Sequence, residues 1–130
     1  MEGGQTNEFR PLILVAEDDD SNFKLIKAII GKKCDIQWAK NGEEIVALFK
    51  EYGNEAKAIL MDIKMPVMDG IEALKEIRRH TTQLPVIMQT AYAFDTDRRI
   101  AEEAGCNGFI TKPVMPRELK MYLDMSLKKA

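Results

Sequence analysis

The sequence predicts an α/β domain of five βα units built around a parallel sheet. Short apolar runs alternate with longer stretches of helical periodicity, the pattern of strands and crossover helices in such a sheet. Most of the runs are apolar at every position, as strands covered by helices on both faces should be. Carboxylates follow two of them directly: Glu17, Asp18, Asp19 and Asp20 after Leu12-Ile13-Leu14-Val15-Ala16, and Asp62 after Ala58-Ile59-Leu60-Met61. In open α/β sheets, ligand sites lie just outside the carboxyl ends of the strands. Two such strands side by side would bring Asp62 beside Glu17 and Asp18, and like charges that close need a cation.

Residues 1–10 read as a flexible polar leader and residues 11–130 as one domain of ordinary size. The first strand is expected at residues 12–16, after which Asp20 starts the first helix and can cap it. The second strand, residues 35–39, differs from the others: Ile36 and Trp38 alternate with Asp35 and Gln37, which places it at a sheet margin with one face partly open. Asn41-Gly42 then precedes a helix whose Ile45, Leu48, Phe49 and Tyr52 fall at i, i+3, i+4 and i+7. The third strand is read at residues 58–61. Pro66 and Gly70 bracket the loop that follows, with Pro setting a turn and Gly relieving strain. The fourth strand is expected at residues 86–88, and its helix ends at Ala104-Gly105. Residues 108–110 form the fifth strand, and Pro116 suits the first turn of a last helix that buries Leu119, Tyr122 and Leu123.

Composition narrows the class. Hydrophobic residues make up 45% and charged residues 31%, with 19 basic against 21 acidic side chains; this favours neither a disordered chain nor a general nucleic-acid binder. No apolar run approaches the roughly 18 residues that span a bilayer, and the leader lacks the basic and apolar regions of a signal peptide, so a cytoplasmic location is expected. Cys34 and Cys106 read as small hydrophobes rather than a disulfide. The chain stops soon after the fifth helix, which leads to the expectation that it encodes no DNA-binding or enzymatic output domain.

Two further loops at the same sheet edge bring different groups. The fourth strand runs into Gln89-Thr90-Ala91, which offers a hydroxyl, and the fifth into Thr111-Lys112-Pro113, which offers an ammonium. Phosphoryl transfer to a carboxylate requires this set: a nucleophilic Asp, acids holding a divalent ion, and a Lys and hydroxyl for the phosphoryl oxygens. Hard oxygen ligands suit Mg²⁺.

At this point the chain resembles the response regulator receiver domains of two-component phosphorelays, over nearly all of residues 11–127. The motifs are Leu12-Ile13-Leu14-Val15-Ala16-Glu17-Asp18, Met61-Asp62-Ile63-Lys64-Met65-Pro66-Val67-Met68-Asp69-Gly70, Gln89-Thr90-Ala91 and Phe109-Ile110-Thr111-Lys112-Pro113, in the family's order. Thr90-Ala91-Tyr92-Ala93 and residues 103–110 look most like receivers attached to hybrid sensor histidine kinases. The resemblance implies a flavodoxin-like (βα)5 three-layer sandwich with strand order 2-1-3-4-5. It implies Asp62 as phosphoacceptor, with Mg²⁺ held by Glu17, Asp18, Asp62 and the Lys64 backbone carbonyl. Thr90 and Lys112 would contact the phosphoryl group, Lys112-Pro113 would be a cis bond presenting the lysine, and Pro113 and Gly70 would be structural. Thr90 and Phe109 would form a switch pair.

The implied donor is a histidine kinase or phosphotransfer protein, and the implied recipient a downstream phosphotransfer or output protein. Such a domain catalyses only its own phosphorylation and dephosphorylation, and contacts neither nucleic acid nor the membrane interior. It is a monomer or a weak dimer through its fourth helix, fifth strand and fifth helix.

Two competing classes fit less well. A Mg²⁺-dependent phosphohydrolase of small phosphoesters would need a second acid for the leaving group, whereas Lys64 stands two positions after Asp62. A flavodoxin-type nucleotide carrier would need free backbone N–H groups where this chain has an acidic loop. Asp69 is read as structural, His80 as a helix-end charge rather than a phosphohistidine, and Met115, Met121 and Met125 as core. Tyr92 is expected to obstruct hydrolytic water and prolong the phosphorylated state.

Overall fold

The computed structural model describes residues 9–91 and 95–128. Ten elements alternate: β1 (Leu12–Ala16), α1 (Asp20–Ile30), β2 (Asp35–Ala39), α2 (Gly42–Tyr52), β3 (Ala56–Asp62), α3 (Gly70–Arg78), β4 (Val86–Thr90), α4 (Asp95–Ala104), β5 (Gly108–Thr111) and α5 (Pro116–Lys128). The strands form one parallel sheet in the order β2-β1-β3-β4-β5. This places the alternating strand at an edge and sets β1 beside β3.

Successive strand residues point to opposite faces, and each face builds its own core. Leu14, Ile59, Met61, Val86 and Met88 pack with Ile45, Leu74 and Ile77 of α2 and α3. Ile13, Val15, Leu60, Ile87 and Ile110 pack on the other side with Ile26, Leu119 and Leu123 of α1 and α5. Covered on both faces, the central strands have no solvent side, which is why they read as unbroken apolar runs.

Caps fix the helix starts that face the site. Asp19, not Asp20, caps α1: its side chain accepts from the Asn22 N–H at 2.8 Å. Asn41 caps α2, and Asp69 and Glu72 form a capping box on α3, each satisfying amides that the helix cannot. At the other end of α1, the Arg10 guanidinium donates to the carbonyls of Gly31, Lys32 and Cys34 and to Asp35 Oδ1, at 2.7–3.0 Å.

Several expectations need correction. β3 begins two residues earlier than expected and continues onto Asp62, β4 continues through Gln89 and Thr90, and β5 reaches Thr111; backbone pairing carries these polar residues into the sheet. Gly70 does not relieve strain. A Cβ there would lie 2.2 Å from the Asp62 carbonyl oxygen, so what matters is close approach. The strained residue is Val67, with φ 71° and 72% exposed. The Met68 N–H bonds to the Pro66 carbonyl at 2.7 Å across it, making a tight turn that a β-branched residue rarely adopts. Met115, Met121 and Met125 are not core but exposed; the inward face of α5 is taken by Leu119 and Leu123.

Candidate functional site

Three carboxylates meet at the carboxyl edge of β1 and β3. One oxygen each from Glu17, Asp18 and Asp62 lies within 4.8 Å of the others. Glu17 and Asp62 are buried while Asp18 is exposed. The parallel register, with Ala16 opposite Met61, puts the residues that end each strand side by side. Lys112 reaches in from the end of β5 and donates to Asp62 Oδ2 at 3.0 Å and to Glu17 Oε2 at 3.2 Å. Two buried carboxylates therefore share one ammonium and carry excess negative charge.

The electrostatics follow from that imbalance. Burial, reinforced by the negative charge of Glu17, pushes the Asp62 carboxyl up to about 7, and Lys112 only partly offsets this. Burial alone would lower Lys112, but the charges of Asp62 and Glu17 and their hydrogen bonds outweigh it and hold the ammonium above its ordinary value. A further positive charge is what these groups lack. The donor set is all oxygen, hard and partly open through Asp18, and so fits Mg²⁺.

The remaining sequence-predicted residues surround this centre. Thr90 is fully buried at the end of β4, paired in register with Thr111, and its carbonyl accepts from the Lys112 N–H at 2.7 Å. The backbone N–H of Lys64 donates to Asp62 Oδ1 at 3.3 Å, and its side chain is exposed. The Lys112-Pro113 bond is cis. Phe109 lies two residues before the end of β5, 4% exposed, with the Arg98 guanidinium of α4 5.0 Å from its ring centre. Tyr92 lies outside the described residues.

Sequence reasoning missed the groups that hold Glu17. Asn22 Nδ2 and Gln89 Nε2 donate to its Oε1 at 2.6 and 3.1 Å. The Trp38 indole donates to its backbone carbonyl at 2.8 Å while stacking on Phe23, ring centres 3.9 Å apart. A glutamine directly after the apolar run Val86-Ile87-Met88 was the available signal for Gln89; Asn22 and Trp38 gave none, because their partners are set by tertiary contact.

A cavity of about 700 Å³ opens at the opposite edge of the sheet, lined by residues that include Phe49, Lys57, His80, Pro85 and Asn107. It is remote from the acids. Both cysteines are free, with thiols pushed up by burial. Among the described residues no helix is long and apolar enough to cross a membrane.

Similarity to known proteins agrees with this geometry. The chain is 35% identical over 125 residues to Hybrid signal transduction histidine kinase I of Dictyostelium discoideum, an alignment that covers 90% of this chain and 7% of that protein. It spans less than half the length of that relative and of Transcriptional regulatory protein SrrA of Staphylococcus aureus. Its fold matches a chain of the CheX-CheY-BeF3-Mg+2 complex from Borrelia burgdorferi, with TM-score 0.85, 25% identity, and coverage of 90% of this chain and 89% of that one. It also matches a chain from the co-crystal of the Saccharomyces cerevisiae histidine phosphotransfer signaling protein Ypd1 with the receiver domain of Ssk1, with TM-score 0.80, 31% identity, and coverage of 88% and 86%. The family model described as Response regulator receiver domain matches residues 13–124, and the chain belongs to that family, as a receiver domain of two-component phosphorelay signalling.

Proposed function

We propose that Asp62 is the phosphoacceptor of this receiver, and that a phosphohistidine of a kinase or phosphotransfer protein is its donor. The observation that carries this reading is the convergence of Lys112 on the buried carboxylates of Asp62 and Glu17, with Asp18 open beside them. An oxygen of ionised Asp62 attacks phosphorus and forms a P–O bond. The P–N bond breaks, and its electron pair stays on the imidazole nitrogen, which the solvent can reprotonate. Lys112 already sits 3.0 Å from Asp62 Oδ2, so its ammonium is in place for the incoming negative charge without reorganisation.

Glu17, Asp18, Asp62 and the Lys64 backbone carbonyl would hold Mg²⁺. When bound, the ion supplies the positive charge that lets a phosphoryl group approach carboxylates. Thr90, at the end of β4, is the hydroxyl for the phosphoryl oxygens. The switch to partners runs through Phe109 and the α4-β5-α5 face. Arg98 over the Phe109 ring supports this, because it ties α4 to β5 through the one aromatic side chain of that strand. The domain acts only on its own Asp62, in keeping with a signalling module.

The test is intact mass after incubation of wild type and Asp62→Asn with acetyl phosphate, with and without Mg²⁺. A single Mg²⁺-dependent phosphoryl adduct on wild type, missing from Asp62→Asn, is the expected result. An adduct of equal yield on the variant would move the acceptor elsewhere.

A further inference from the structure

Glu17 is 0% exposed, yet every polar atom it has is engaged. Oε1 accepts from Asn22 Nδ2 at 2.6 Å and Gln89 Nε2 at 3.1 Å; Oε2 accepts from the Asp19 N–H at 3.1 Å and Lys112 Nζ at 3.2 Å. Its backbone N–H donates to the Ala39 carbonyl at 2.9 Å, and its own carbonyl accepts from Trp38. Asn22 and Gln89 also bond to each other, Nδ2 to Oε1, at 3.1 Å. The three side chains thus close a ring in which both amides can point only one way. Turning either over would set an amide oxygen against a carboxylate oxygen.

Neither amide is required by the core. Gln89 lies in a fully buried strand, among Val86, Ile87 and Met88, where an apolar side chain of the same volume would suit the packing. What the amides do is occupy Oε1 completely, so that Oε2 is the oxygen turned to Lys112.

We infer that Asn22 and Gln89 are positioning residues of the acceptor site. They hold Glu17 as a fixed anion that anchors Lys112 and faces the cation together with the exposed Asp18. The inference rests on the phosphoacceptor reading above. Removing an amide frees the Glu17 carboxylate to turn and slackens its hold on Lys112, so Mg²⁺ meets a less ordered set of charges. Groups in this supporting position typically account for roughly 10- to 100-fold in metal affinity.

The experiment uses Gln89→Met, which keeps the volume and loses the donor, and Asn22→Ala at a half-buried helix position. Mg²⁺ affinity is read from the fluorescence of Trp38, the single tryptophan, and phosphorylation by acetyl phosphate is followed against Mg²⁺ concentration. Each variant should bind Mg²⁺ about 10-fold more weakly, with a smaller fall in the rate at saturating Mg²⁺, since Lys112 keeps Asp62 as a partner; the double variant should lose little more than either single one, since the amides act as a unit. Unchanged Mg²⁺ affinity in both folded variants would overturn the inference. So would a fall in the saturated rate as large as the fall in affinity. Failure of the phosphoacceptor reading is told apart from either result, because it would appear in the wild type itself as absence of Mg²⁺ binding or of an Asp62 adduct.

Discussion

Asp62→Asn should stabilise the metal-free protein, and do so more as pH rises. The buried Asp62 carboxyl has an ordinary pKa of 3.8 when exposed and titrates at about 7 in the fold. Between those values the native state holds a proton that the unfolded chain has lost, so unfolding releases that proton and native stability falls as pH increases. At about 1.4 kcal/mol for each pH unit separating the two values, wild type loses up to about 4 kcal/mol between pH 4 and pH 8 relative to a neutral side chain. Asn has the same shape and no charge, and Lys112 keeps Glu17 as a partner in the variant. Urea unfolding in EDTA at several pH values measures this. The two proteins should be closest near pH 4, and the variant should be more stable by about 2–4 kcal/mol at pH 8. Mg²⁺ at pH 8 should close most of the gap, since it binds and stabilises only the native wild-type site. Parallel pH profiles in EDTA would refute the claim that Asp62 is held against its charge.

Lys112→Ala leaves the acids without their ammonium, and the phosphorylation rate from acetyl phosphate should fall by roughly 10²-fold at saturating Mg²⁺, followed by intact mass. Val67→Gly relieves a β-branched residue at φ 71° and should raise the unfolding free energy by about 1 kcal/mol in urea despite the added freedom of the unfolded chain. Trp38→Phe keeps an aromatic ring for Phe23 to stack on but loses the bond to the Glu17 carbonyl; a loss of about 1 kcal/mol is expected by the same method. Leu60→Ala, at a fully buried position of the central strand, should cost about 2–5 kcal/mol.

The sheet was legible because its central strands are covered on both faces and so carry no polar residue until they reach the edge. The acids, Thr90 and Lys112 were legible for the same reason: each lies within two residues of the end of such a run. Strand ends were less so. Gln89 and Thr90 belong to β4 by backbone pairing with β3 and β5, which side-chain polarity does not report. Asp19 took the cap from Asp20 because the position of the helix start within an acidic run depends on which carboxylate reaches an N–H. Met115, Met121 and Met125 looked like core by residue type, yet a helix packed on a sheet buries only one stripe, and Leu119 and Leu123 fill it. The Asn22–Gln89 bond joins residues 67 positions apart, beyond what periodicity can register.

Arg10 gives α1 a mechanical character. Its guanidinium grips the carbonyls at one end of that helix, and Asn22 in the first turn grips Glu17 at the other. An 11-residue helix is a stiff rod about 16 Å long, fastened at both tips. A pull on the backbone at Phe9 therefore loads α1 along its axis as well as β1, and the far end of that strut is the acidic pocket.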